Sequence, residues 1–276
     1  MLGNLDNGTI FKKAFTDKLV FEQFMKDVLG FEVHVSKIET EKQFTPKIGR
    51  IAFELDIFAE TEDKRMVIEL QKIEYDYGLD RFLHYFLMLL AEQQASAKQY
   101  KINRTVYLIL VMTQPYELLK DLNGNSMQEE MLITSFHTEN SGKDDIPLYS
   151  HKLIALNPNH KHKDTPKEVR DWLNLIYESI NNPENPNINR QNPGIDKAAD
   201  LIDMDNLSPK ELEDKKKDEA AKTTKELYEQ IAVERGKQEE KENLVKQFFK
   251  SGASIEIIIS ATNLTESEVK EILENE

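Results

Sequence analysis

The eight residues Thr105 to Met112, TVYLILVM, carry no charge and are rich in β-branched and large apolar side chains. A strand that turns one face to water alternates apolar with polar residues, and this run offers solvent nothing on either face. It predicts a strand in the middle of a sheet whose two faces are both covered by helices, and hence an α/β layer architecture. Candidate helices flank it. From Ile10 to Leu29 apolar residues recur mostly three or four apart until Gly30 ends the pattern, and Leu79 to Tyr100 repeats the spacing with Phe82, Tyr85, Phe86, Leu89 and Leu90. Between these stretches Glu32 to Glu41 reads as an extended arm. Two β-type runs follow, Arg50 to Ala59 and Arg65 to Gln71, and the polar turn Glu60 to Lys64 between them predicts a hairpin. Further strands are predicted at Met131–His137 and Ser150–Leu156, then a helix over Val169–Ile180 that holds the single Trp. Strands and helices interleave, so residues 1–180 read as one α/β domain.

The stretch Asn181 to Gly194, NNPENPNINRQNPG, breaks the composition with Asn and Pro and predicts a linker, taken here over residues 181–204. Residues 205–276 read as a helical C-terminal region. Lys210 to Lys250 is a run of helix formers with sparse apolar positions, which suits a long solvated helix with one narrow stripe. Two short helices follow, the second opened by the capping-box pattern of Thr265 and Glu268.

Composition excludes several chemistries. With no Cys in 276 residues, disulfide scaffolds, thiolate zinc sites, iron–sulfur clusters and cysteine nucleophiles are ruled out. No segment approaches the ~18–20 apolar residues that span a bilayer, and the first residues lack the pattern of a secretory leader, so a cytoplasmic protein without membrane contact is expected. The net charge of −14 opposes nucleic-acid binding by the chain as a whole, since phosphate contact rests on Lys and Arg. A DNA partner therefore requires a local basic patch, for which Lys12, Lys13, Arg81, Lys98, Lys101 and Arg104 are the candidates.

The chemically informative place is the hairpin. Strand alternation puts Glu69 and Gln71 on one face while Ile68 and Leu70 point the other way, and Asp56 stands between Leu55 and Ile57 on the preceding strand. Pairing across the turn brings Asp56 opposite Glu69 or one step from it, so that two carboxylates converge. Like charges side by side cost stability unless a cation compensates, and oxygen ligands without His or Cys suit a hard ion such as Mg2+ or Mn2+. Acids on an alternating strand are equally how a solvated sheet face reads. Arg81 and Tyr85, one turn apart on the next helix, likewise fit either phosphate contacts or a surface Arg beside a packed Tyr.

Asp56, followed twelve residues later by the run Ile68, Glu69, Leu70, Gln71, resembles the D…E-x-Q form of the PD-(D/E)XK nuclease superfamily. The opening helix IFKKAF from Ile10 to Phe15, the Arg81 to Tyr85 turn, Tyr100 ahead of the next strand and the tail from Ser251 to Thr265 are similar to the recombination-promoting nuclease/putative transposase family. That resemblance implies a restriction-endonuclease-like core, a central mixed sheet flanked by helices, followed by the helical C-terminal region. It also implies a Mg2+-dependent (or Mn2+-dependent) DNA endonuclease associated with recombination or transposition. The ions would be held by Asp56, Glu69 and the carbonyl of Leu70, Gln71 would align the attacking water, and Arg81 and Tyr85 would contact the substrate. Two positions depart from the pattern. Gly8 stands where the family commonly has an acid, with Asp6 and Asn7 just upstream, and Gln71 replaces the superfamily's motif lysine. Alternative readings are a catalytically weakened nucleic-acid-binding or transposition accessory protein, and an acidic protein-interaction module. The C-terminal helices would be the means of any self-association into a homo-oligomer.

Overall fold

The computed structural model of the chain describes residues 1–44, 53–72, 79–94, 101–113, 123–125, 129–139, 145–160, 162–262 and 264–274. Two compact units make it up, Met1–Lys215 and Lys216–Glu276. The first is built on a six-stranded sheet of β1 (Ile38–Phe44), β2 (Phe53–Glu60), β3 (Lys64–Gln71), β4 (Thr105–Met112), β5 (Met131–Glu139) and β6 (Asp145–Leu156). Their spatial order is β1-β2-β3-β4-β6-β5. The uncharged run is an interior strand as expected, parallel to β3 on one side and to β6 on the other, and buried from Val106 to Met112. The β1–β2, β2–β3 and β5–β6 pairs are antiparallel, so the sheet is mixed.

Helix α3 (Asp80–Ala91) connects β3 to β4 and covers one face, packing Phe82, Phe86 and Leu89 with Val67, Val106, Leu108 and Leu110. The other face carries α1 (Gly8–Phe15), α2 (Lys18–Leu29), α4 (Lys167–Asn181) and α5 (Pro193–Ile202). The stretch expected as one helix from Ile10 is two, because Asn7 caps α1 and Asp17 caps α2, its carboxylate accepting from the Leu19 and Val20 N–H groups. Their aromatic side chains cluster in the core: Phe15 and Phe24 pack edge to face 5.0 Å apart, and Phe24 meets Trp172 of α4 at 5.2 Å.

The reading of residues 181–204 as a linker is corrected by α5. Its Ile195, Ala198, Ala199 and Ile202 are fully buried in the same core as Trp172. The Asn-Pro-Gly sequence is a helix start: Asn192 accepts from the Gly194 and Ile195 N–H groups, and Pro193 occupies the first turn. Gly194 is required by proximity, since a Cβ there would lie 2.7 Å from Gln23 and 2.9 Å from Trp172. Asp27 closes the seam by accepting from the indole of Trp172 at 2.8 Å and from the Asn192 amide at 2.7 Å. The first unit accordingly runs on to Lys215, past the expected boundary at residue 180. The expected extended arm is β1, an edge strand that begins only at Ile38.

Helix α6 (Pro209–Lys250) begins in the first unit with a capping box in which the Ser208 N–H donates to the Glu211 carboxylate at 2.7 Å. The second unit consists of the remainder of α6, α7 (Ile255–Thr262) and α8 (Glu266–Glu274), with Val245, Ile258, Leu264 and Val269 as its own small core. The Thr265–Glu268 capping box forms, the Thr265 N–H reaching the Glu268 carboxylate at 2.7 Å. Among the described residues no helix is long and apolar enough to cross a membrane.

Candidate active site

The β2–β3 ladder runs from Glu60–Arg65 to Ile57–Ile68 and there it stops. Continuing the register would pair Asp56 with Glu69, but at this step side chains take over from the main chain. The Asp56 N–H donates to Glu69 Oε1 at 2.9 Å, and the Leu70 N–H donates to Asp56 Oδ2 at 3.0 Å. Each carboxylate is thus fixed through one oxygen by the backbone of the strand opposite. Plain alternation, which the sequence reading assumed for Asp56, fails at the same point. Leu55 packs with the α3 face and Ile57 with the opposite one, although they are two residues apart. Asp56 marks the switch. On β3 alternation holds, with Ile68 and Leu70 turned toward the four-helix face.

The two acids have different surroundings. Asp56 is partly exposed, whereas Glu69 is only 5% exposed. Burial, and then the neighbouring charge of Asp56, push the Glu69 carboxyl well above the usual carboxylate range, against the opposing pull of Arg81 and Lys12. Lys12 reaches in from α1, its ammonium 2.9 Å from Glu41 Oε1 and 3.9 Å from Asp56 Oδ1. Burial lowers the Lys12 pKa, and Glu41 and Asp56 more than offset that, so it sits above its ordinary value. Arg81 donates from Nε to the Tyr85 hydroxyl at 2.8 Å and lies over that ring, 5.2 Å from its centre. Tyr85 is itself buried against Phe53, with ring centres 5.4 Å apart. The Tyr is core, as the packed-tyrosine reading has it, and its hydroxyl fixes the Arg.

Gln71 is buried at the end of β3, where its carbonyl accepts from the Thr113 N–H at 3.1 Å. The Thr113 hydroxyl donates to the carboxylate of Asp6, and both residues are buried. Asp6, two residues before Gly8, is thereby brought to the carboxyl ends of β3 and β4. Sequence spacing alone could not have identified it, because the partner Thr113 is 107 residues away. Glu41 was missed as well: β1 reads IETEKQF, a polar edge with no apolar pattern to mark one residue out.

The basic patch gathers only in part. Lys12 and Arg81 are at the site, but Lys13 pairs with Glu211 at 2.9 Å. Arg104 donates to the Thr61 carbonyl at the closed end of the hairpin. Thr61 is five residues, or about 16 Å along the strand, from Asp56. Lys101 is exposed, and Lys98 and Tyr100 lie outside the described residues. A cavity of about 530 Å³ beside α4, whose lining includes Glu130, His162, Lys163 and Arg170, contains none of the predicted site residues.

Among the described residues no group of three or more Asp, Glu or His side chains is gathered for a metal. Two carboxylates and the adjacent Leu70 carbonyl are nevertheless an all-oxygen donor set of the kind Mg2+ uses, since that ion retains several waters and takes one or two protein carboxylates. The like-charged pair, with its Glu69 member buried, gives such an ion an electrostatic reason to bind. A family model described as PD-(D/E)XK nuclease family transposase matches residues 9–232 of the chain. No curated protein and no solved structure matches it.

Proposed function

The chain belongs to the PD-(D/E)XK nuclease family transposases, a nuclease- or transposase-related role follows from that, and on this premise we propose that it is a metal-dependent DNA endonuclease acting in recombination or transposition. The reading is carried by the reciprocal hydrogen bonds that hold Asp56 and Glu69 side by side where β2 and β3 part. Asp56, Glu69 and the Leu70 carbonyl would hold Mg2+ or Mn2+. When bound, such an ion lowers the pKa of a coordinated water and offsets charge at the phosphorus.

The remaining chemistry belongs to side chains. Gln71 has a neutral amide that neither accepts a proton nor adds charge at neutral pH, so its role is to orient the attacking water or a phosphate oxygen. Arg81 contacts the phosphate, and Tyr85 holds the guanidinium in the required plane. With a net charge of −14, DNA is engaged locally, by Arg81, Lys12 and the metal centre, instead of by a broad basic surface.

Supercoiled plasmid incubated with Mg2+ and wild type, Asp56→Ala or Glu69→Ala tests this. Either substitution should slow nicking by at least roughly a hundredfold, as losing a preorganised charge-stabilising group does, and chelation should abolish it. Nicking that persists through both substitutions would place the activity elsewhere.

A further inference from the structure

Cleaving a phosphodiester concentrates negative charge on the phosphate, and Gln71 brings no cation to meet it. Two helices outside the hairpin each bring one. Arg81 is tied to Tyr85. Lys12 stands on the opposite side of the sheet's helical cover, in α1, with its side chain 27% exposed, open to a substrate yet too enclosed to sweep freely.

Its position is built. α1 buries Ile10, Phe11, Ala14 and Phe15 and is capped by Asn7, so the helix cannot turn Lys12 elsewhere without unpacking. Glu41, which moors the ammonium, has φ 54, and it is the only residue other than Gly with positive φ among those described. A side chain with a Cβ adopts that conformation at a cost, and such strain persists where the surroundings impose it. Glu41 stands opposite Asp56, between the Thr40–Ile57 and Lys42–Leu55 pairs of the β1–β2 ladder. The two strands flanking the site thus depart from regular geometry at the same level, and Lys12 lies between the two departures.

We propose that Lys12 is a catalytic residue of this site, its ammonium held by Glu41 and donating a hydrogen bond to a non-bridging oxygen of the scissile phosphate. It keeps its proton and forms no covalent bond. The proposal rests on reading Asp56 and Glu69 as the metal-holding pair, and it has a consequence that a structural lysine would not have. Lys12 and a dication compete for Asp56 and repel each other, so Lys12 weakens metal binding while it accelerates cleavage.

The experiment uses the full-length protein and the variants Lys12→Met, Lys12→Arg, Lys12→Met with Gln71→Lys, and Asp56→Asn. Mn2+ binding is measured by calorimetry without DNA, and plasmid nicking is measured separately. Lys12→Met should bind Mn2+ roughly tenfold more tightly, the effect of removing a charge a few Å from a dication in a solvated site. It should also lower kcat by roughly a hundredfold. Lys12→Arg should keep most of the rate, and Gln71→Lys should restore part of what Lys12→Met loses. Unchanged kcat in Lys12→Met, or metal affinity and kcat falling together, would overturn the proposal. Failure of the underlying reading is distinct: Asp56→Asn would then bind Mn2+ and nick plasmid like wild type.

Discussion

Replacing Glu69 by Gln should make the metal-free protein more stable at neutral pH and the metal-loaded protein less so. Gln keeps the shape and an oxygen to accept the Asp56 N–H, so the change removes charge and little else. Burial and Asp56 disfavour that charge by more than Arg81 and Lys12 favour it, which is why the folded carboxyl titrates above its ordinary 4.5. A group whose folded pKa is raised contributes stability that is complete below the unfolded pKa and is lost as pH climbs toward the folded one. The advantage of Glu69→Gln should therefore be absent below pH 4.5, grow as pH rises, and level off once Glu69 is ionised. Like charges roughly 5 Å apart at an effective dielectric near 20 repel by about 3 kcal/mol. Offset by the two cations, the net gain should be about 1–2 kcal/mol, or about 2–8 °C in Tm for a unit of this size. Thermal melts from pH 4 to 8 with chelator, repeated with saturating Mg2+, decide the matter. Mg2+ at a hundred times its Kd adds about 2.7 kcal/mol to wild type alone, which reverses the order of the two proteins. A variant that is less stable without metal, by an amount independent of pH, would refute the idea that the substitution relieves a buried carboxylate held beside a like charge.

Two further predictions concern the seam between α2, α4 and α5. Gly194→Ala puts a methyl 2.7 Å from Gln23 and 2.9 Å from the ring of Trp172, which should cost about 1–3 kcal/mol, measurable as a lower urea midpoint with an unchanged slope. Asp27→Ala leaves the indole N–H of Trp172 and the Asn192 amide without their acceptor. That should cost about 2–4 kcal/mol, with Asp27→Asn intermediate because one amide oxygen can still accept; equal losses in the two variants would remove the hydrogen-bond explanation.

Those elements also mark where the chain was readable from sequence and where it was not. Thr105–Met112 declared itself because a strand covered on both faces cannot afford a single charge, and that constraint survives any tertiary context. The C-terminal Thr265–Glu268 box was legible for the same local reason: cap and helix lie within one turn. The stretch before α5 deceived because Asn, Pro and Gly have two uses. In NNPENPNINRQNPG the last three residues are an N-cap, a first-turn Pro and a Gly that admits Trp172. Their meaning depends on Ile195, Ala198, Ala199 and Ile202 beyond them, spaced for one buried face.

At the candidate site the division follows the same logic. The hairpin contained Asp56 and Glu69 within fourteen residues, and a turn that short leaves few registers, so their approach could be read from spacing. What spacing could not supply was the manner of the approach. Alternation would have made them ordinary neighbours on one face, but the ladder ends, Asp56 sits at a switch of face, and each carboxylate takes an N–H from the other strand. That arrangement needs support from outside the hairpin, because a buried carboxylate beside a second anion, with only main-chain donors, would drive the strands apart. Lys12 and Arg81 provide it from two different helices, Lys12 moored in turn by Glu41 on β1, and each looks unremarkable in its own segment. The local sequence could therefore reveal the pair of acids, whereas the charges that make the pair tolerable belong to the tertiary fold and become visible only there.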